Sequence, residues 1–194
     1  SKTTHHIGKN KVGILIVGLR IMNTIIKKYK FDSVWHFTDK SNLDLIKKHK
    51  GLLSFGELET RGIEIPIAGG NDWSHDADKL KDVHDYVHLA FVDDHPMLFR
   101  AKQEGRIPNP IWLKIKSSII LQDGVKFCSD VSNKSGVAIL SPQEAKNQID
   151  FDVLFTYLDW KDSEIQARRQ AALKSEILVP KFVPIDNILG FKNG

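Results

Sequence analysis

His84-Asp85-Tyr86-Val87-His88-Leu89-Ala90-Phe91 alternates along its length. His84, Tyr86, His88 and Ala90 fall on one side and Asp85, Val87, Leu89 and Phe91 on the other, which predicts a strand with a polar, aromatic face. Pro96 to Glu104 follows with helical spacing and a proline where a first turn accepts one, and Ile111 to Ile115 reads as the next strand. Further along, Ser141 can open a short helix over Pro142 to Gln148, and Ser163 to Lys174 reads as a polar helix. That helix leads into Glu176-Ile177-Leu178-Val179-Pro180, an apolar strand headed by a carboxylate. Strands and helices are interspersed, but the strands are short and the spacers irregular. The fold class is therefore α+β rather than a doubly wound sheet with its regular strand-helix rhythm.

Upstream, Ile14, Leu15, Val17, Leu19, Met22, Ile25 and Ile26 give a helix over Ile14 to Lys30 that buries one face. Ser33 to Phe37 reads as a short strand, and Ser41 is placed to cap a helix over Asn42 to Lys50 that Gly51 stops. In the mixed stretch Glu57 to Ala68, the alternation of Ile63, Ile65 and Ile67 predicts a strand broken by Gly69 and Gly70. No repeat, low-complexity tract or long linker interrupts the 194 residues, so one domain over 1–194 is expected. Residues 1–10 form a flexible start and 11–31 an N-terminal helical extension.

The chain is 41% hydrophobic and 27% charged, with a net charge of +4, and is long enough to bury a core without disulfides or metal staples. Its one cysteine, Cys128, points to a reducing, cytoplasmic compartment, and the apolar run Val12 to Leu19 is far shorter than a membrane span. Residues 1–50 hold 11 Lys and Arg against 3 Asp and Glu, while residues 51–194 hold 17 against 21, so charge of about +8 and −4 is unevenly divided. Lys27, Lys28, Lys30, Lys40, Lys47, Lys48 and Lys50 form either a solvated helix face or a surface for a polyanion.

No GxGxxG, GxxxxGK[ST] or GxSxG motif is present, which leaves a Rossmann site, a P-loop and a nucleophile elbow unsupported. Cys128, between Phe127 and Ser129, reads as buried rather than nucleophilic. Between residues 72 and 95, Asp72, His75, Asp76, Asp78, Asp82, His84, Asp85, His88, Asp93, Asp94 and His95 crowd together. They are surface charges with one or two bonded histidines, or else metal ligands of a nucleic-acid hydrolase. Against the metal, His84 and His88 on a strand stand about 13 Å apart, too far for one ion. His36-Phe37-Thr38 puts a ring nitrogen and a hydroxyl on one side of a strand, a grip suited to a ribose or a carboxamide. Glu176 either faces a cleft, where it can stabilise a cationic sugar carbon or accept a proton, or is an edge residue that aids solubility.

Taken in order, several motifs between about residues 33 and 190 resemble the DarT family of DNA ADP-ribosyltransferase toxins. They are Val34-Trp35-His36-Phe37-Thr38, Asn42-Leu43, Gly51-Leu52-Leu53, His84-Asp85-Tyr86-Val87, Pro96-Met97-Leu98, and Gln170 to Val179. The resemblance implies a split β-sheet ADP-ribosyltransferase core with surrounding helices, NAD as co-substrate without a metal, and single-stranded DNA as acceptor. His36, Phe37, Thr38, Leu45 and Leu53 then correspond to NAD contacts, Tyr86 and Met97 to the nicotinamide side, and Glu176 to the catalytic glutamate. Thymine-modifying members carry an arginine before the HDYV-like strand, whereas Gly69 to Asp78 has none here. That departure, with Trp73 and the Ser132 to Gly136 stretch, implies guanine over thymine and makes His75 the candidate helper. On this reading Trp73, Tyr86 or Phe91 stacks the base, and the lysines of residues 27–50, including Lys47 and Lys48, hold phosphates with Arg168, Arg169 and Lys174. A macrodomain antitoxin that removes ADP-ribose is the implied partner of a monomeric, membrane-free enzyme. The competing readings are the metal-dependent hydrolase and a binding module without activity that uses the lysine-rich segment.

Overall fold

Short β-segments separated by irregular spacers pair across long sequence distances, and the sheets they make position one cleft. The computed structural model describes residues 2–66 and 82–194, with side chains from residue 10 onward. Asp72, Trp73, His75, Asp76 and Asp78 lie outside the described residues, so the stacking and helper roles expected of Trp73 and His75 have no structural counterpart to report.

Helix α1 (Lys2–Tyr29) begins well ahead of Ile14, and Lys30, with φ of 53°, ends it. Met22 and Ile25 on its C-terminal half join the main core. Strand β1 (Ser33–Asp39) extends two residues past Phe37, because Asp39 still pairs with Pro110. Ser41 does not cap the next helix. The Asp39 carboxylate instead accepts from the Ser41 amide to open a 3₁₀ turn over Lys40–Asn42, and α2 is only Leu43–Lys48. A carboxylate on the last residue of the strand reaches the free amide before a hydroxyl on the turn itself can. Gly51 does not stop α2 but starts β2 (Gly51–Leu53).

The strand expected through Ile63 and Ile65 does not form; Ile67 lies outside the described residues. Ser54 caps α3 (Phe55–Arg61) by accepting from the Glu57 amide, and Gly62, with φ of 65°, closes it in a left-handed conformation. Local capping at both ends prevails over an alternation that finds no partner strand. Strand β3 (Tyr86–Leu89) forms in the middle of the alternating stretch, with His84 and Asp85 in a turn and Ala90 in an isolated bridge, and α4 (Pro96–Gln103) follows with Pro96 in its first turn. Strand β4 (Pro110–Lys116), β5 (Lys126–Cys128), α5 (Pro142–Gln148), α6 (Phe151–Phe155) and α7 (Ser163–Ala172) come next. Ser141 and Glu144 form a capping box at α5, as its sequence predicted. Strands β6 (Glu176–Pro180), β7 (Phe182–Pro184) and β8 (Ile188–Asn193) end the chain.

Two antiparallel sheets, ordered β1-β4-β8 and β3-β6-β5, carry the molecule, and β2 pairs separately with β7. Among the described residues the two sheets meet where Trp35 and Ala90 exchange both backbone hydrogen bonds at 2.8 and 2.7 Å. Ile177 and Val179 of β6 face the main core with Phe127, Phe91 and Val87; Leu178 faces the opposite way, toward Val83 and Cys128. Cys128 is buried, as its context predicted. The split α+β architecture expected from the sequence is the one observed. No helix among the described residues is long and apolar enough to cross a membrane.

Candidate active site

Glu176 opens β6, the central strand of its sheet, and a period of two puts its side chain on the face of Leu178. Leu178 pairs directly with His88 of β3, so His88 and Glu176 are diagonal neighbours on that face, close enough for long side chains to meet. Their head groups stand 3.9 Å apart, from Nδ1 to Oε1. On the other flank, β5 ends with Cys128 opposite Glu176, and the chain leaving β5 brings the Ser132 amide to Oε2 at 2.5 Å. Glu176 is thus no edge residue: it is 7% exposed and lies in a cleft. Burial works to raise its pKa, but His88 above all, with His95 and the Ser132 side chain, outweighs that and holds it below the usual glutamate value.

The histidines around it have defined protons. His88 Nε2 lies 2.9 Å from the Val83 carbonyl oxygen, which can only accept, so Nε2 carries the hydrogen. His88 Nδ1 lies 3.2 Å from the Ser132 hydroxyl oxygen, on the side of the ring that faces Glu176. By the same logic His36 Nδ1 donates to the His88 carbonyl at 2.8 Å, and its Nε2 keeps a lone pair. Burial drives the His36 pKa down to about 4, although the His88 carbonyl pulls upward, so the ring is neutral at pH 7. His95 is also shifted down by burial, against the pull of Glu176. Its Nδ1 accepts the Met97 amide at 3.1 Å as the cap of α4, and the buried ring also interacts with the Lys174 backbone.

Of the residues singled out in the sequence, His36, Phe37, Thr38, Leu53, Tyr86, Met97 and Glu176 line this one cleft. Phe37 packs edge-on against Trp112 at 5.6 Å, and the Thr38 hydroxyl accepts from the buried Asn42 amide at 2.9 Å. Leu45 does not line the cleft but sits half-buried on α2, and Lys47 and Lys48 are exposed on the same helix. Nor do Arg168 and Arg169 reach it. Arg168 is held by both oxygens of Asp150 at 2.7 and 2.9 Å, and Arg169 lies over the Trp160 ring at 4.7 Å. Phe91 offers no stacking surface either, because it is buried against Phe127 and Phe151.

Four cleft residues were not assigned to the NAD site from sequence: His88 and His95, read there as metal ligands or surface groups, Ser132, read only within the Ser132 to Gly136 stretch, and Ser54. His88 shares Tyr86's side of the alternating stretch, which was a usable signal. The approach of Ser132 depends on how β5 pairs with β6, and nothing local encodes it. Among the described residues no three His, Cys, Asp or Glu side chains are grouped so as to hold a metal ion.

Comparison with known proteins places this geometry. No curated protein sequence matches the chain. Among solved structures, Thermus sp. 2.9 DarT in complex with ADP-ribosylated ssDNA superposes with a TM-score of 0.60 at 17% identity, covering 82% of this chain and 80% of that one. The same protein in complex with NAD+ gives 0.55 at 20% identity, covering 81% and 79%. Thermosipho africanus DarTG in complex with ADP-ribose gives 0.63 at 21% identity, covering 83% of this chain but only 43% of that protein. These likenesses establish the fold. The family described as "ssDNA thymidine ADP-ribosyltransferase, DarT" matches residues 35–192, from the first cleft strand to the last strand of the sheet, and the chain belongs to that family.

Proposed function

We propose that the cleft transfers ADP-ribose from NAD to a base of single-stranded DNA, with guanine the favoured base. The observation that carries this reading is Glu176, a carboxylate buried among aromatic and apolar walls yet held ionised by the Ser132 amide and two histidines. Family membership and the NAD+ complex of the Thermus relative support the co-substrate. Neutral His36 offers Nε2 as an acceptor for a ribose hydroxyl, with Thr38 beside it, and Phe37 and Tyr86 present ring surface to the planar groups.

Cleavage of the bond between ribose and nicotinamide leaves positive charge on the sugar carbon. A fixed carboxylate in a cleft with mostly apolar walls stabilises that charge without reorganising. The attacking amino or ring nitrogen of the base must lose a proton as its new bond forms, and Glu176 is the acceptor. Guanine is favoured because Gly69 to Asp78 lacks the arginine of thymine-modifying relatives; the family's own description names thymidine, which supports thymine as the alternative base. A toxin role, with a macrodomain partner that removes the modification, follows from the same reading and draws support from the DarTG relative.

Mass spectrometry of guanine-only and thymine-only single strands incubated with the protein and NAD tests both reaction and base. Glu176→Gln, which keeps the Ser132 contact but not the charge, is expected to lower transfer by about 10²–10³-fold or more with the melting temperature preserved. A fully active variant removes the mechanism; an increment on thymine strands alone replaces guanine with thymidine.

A further inference from the structure

The two halves of α1 lie in different surroundings. Met22 and Ile25 join the core, and Gly18 approaches the Pro142 side chain, so the C-terminal half rests on the body of the protein. Ahead of Gly18, Val12, Ile14, Leu15, Ile16 and Val17 are 39–74% exposed, and a Cβ placed on Gly13 would meet nothing within 4 Å. The helix carries Lys2, Lys9, Lys11, Arg20, Lys27 and Lys28 and no acidic residue, and Lys11, Arg20, Lys27 and Lys28 are exposed. We propose that α1 docks on an anionic lipid surface, its apolar stretch entering the headgroup boundary while its cations meet the lipid phosphates. This departs from the membrane-free expectation and does not depend on the transferase reading above.

Helical geometry, charge and side-chain type together favour lipid over other occupants. At about 100° per residue, Val12, Ile14, Leu15, Ile16, Val17 and Leu19 point to every side of the helix. A partner helix covers one stripe of such a surface, whereas acyl chains cover all of it. A second copy is disfavoured by charge, because two helices that bear cations and no acid repel when laid together. A single-stranded nucleic acid needs rings on which its bases stack, and no residue from Asn10 to Lys28 is aromatic. An anionic lipid layer answers both features at once, with apolar depth for the valines, isoleucines and leucines and negative headgroups for the cations. Val12 to Leu19 extends about 12 Å as a helix, well under the roughly 30 Å of a hydrocarbon core, so the segment lies in the interface rather than across it. The groove beside it adds Leu121 to the apolar surface and Lys126 to the cations, against one acid, Asp123.

The test is co-sedimentation of the full chain with vesicles of phosphatidylcholine mixed with phosphatidylglycerol, and with vesicles of phosphatidylcholine alone. Wild type is expected to bind the mixed vesicles at least about tenfold more tightly and to lose that preference at high salt. Lys11→Gln combined with Arg20→Gln is expected to weaken binding to the mixed vesicles by about 20- to 30-fold, taking about fivefold for each cation. Ile16→Asn combined with Val17→Asn is expected to weaken binding to both kinds of vesicle by about tenfold or more. These side chains are exposed, so melting temperatures stay near that of wild type. Should the Ile16 and Val17 variant fail to fold, Ile14→Asn, at the most exposed of the apolar positions, takes its place. Equal binding to the two kinds of vesicle, binding to neither, or variants that bind like wild type overturn the proposal. A dimer that Ile16→Asn dissociates, without vesicle binding, gives the face to a second copy and overturns it; retention of a single-stranded oligonucleotide on α1 in place of vesicles does the same. None of the substituted residues lines the cleft, so transfer to an oligonucleotide in solution is expected to be unchanged. Failure to bind vesicles therefore leaves the transferase reading standing, and a chain that binds vesicles but modifies no DNA leaves this one standing.

Discussion

At the scale of single residues, neutral histidines make the cleft acid-sensitive. Folded His36 titrates at about 4, whereas an unfolded chain protonates it near 6.5. Between those values the unfolded state binds the extra proton, so stability rises with pH and is lost as pH falls from about 6.5 toward 4. His95 is shifted in the same direction and adds to the loss. Glu176 and Asp39, whose carboxyls are held below their usual values, extend it further into acid. Urea melts at pH 7.5 and 4.5 should differ on the order of 2 kcal/mol from His36 alone, and His36→Asn should flatten that part. Equal midpoints at the two pH values in wild type would mean His36 takes up its proton in the folded state. Glu176, His36 and Thr38 were legible from residue type and position, whereas the partners that tune them were not. Ser132 lies 44 residues before Glu176 in the chain and meets it only through sheet pairing.

At the scale of elements, the small β2–β7 ribbon aims Leu53, Ser54 and Phe55 at the cleft. It begins at Gly51, with φ of 153°, where a Cβ would stand 2.2 Å from the Val183 carbonyl oxygen. Gly51→Ala is therefore expected to destabilise by about 2–3 kcal/mol, read as a lower midpoint in chemical melts. A variant as stable as wild type would show that the β2–β7 pair shifts to accommodate the methyl group. Strands β3, β4 and β6 and helices α4, α5 and α7 follow their sequence patterns closely, because each is long enough for periodicity to register. Strands β2, β5 and β7 have three residues each, too few for a period of two to stand out. The Ile63 and Ile65 alternation misled for the converse reason: a local pattern without a pairing partner does not make a strand.

At the scale of the whole molecule, α1 divides into a packed half and an exposed one. Met22 is 1% exposed in the main core, while Ile14 is 74% exposed. Met22→Ala should cost about 2–5 kcal/mol and Ile14→Ala less than about 0.5 kcal/mol; thermal melting of the two variants checks the contrast, and equal effects would place Ile14 in a packed surface.

The order of the chain alone settled the α+β class, a buried cysteine, and a family whose motifs recur in the right succession, since these depend on residue type and short-range spacing. The tertiary structure decided which charges reach the cleft. It draws His88, Ser132 and His95 around Glu176. It leaves Arg168 on Asp150 and Arg169 on Trp160. The physical reason is that antiparallel pairing joins residues far apart in sequence, and a charge finds its partner by that register rather than by its neighbours in the chain.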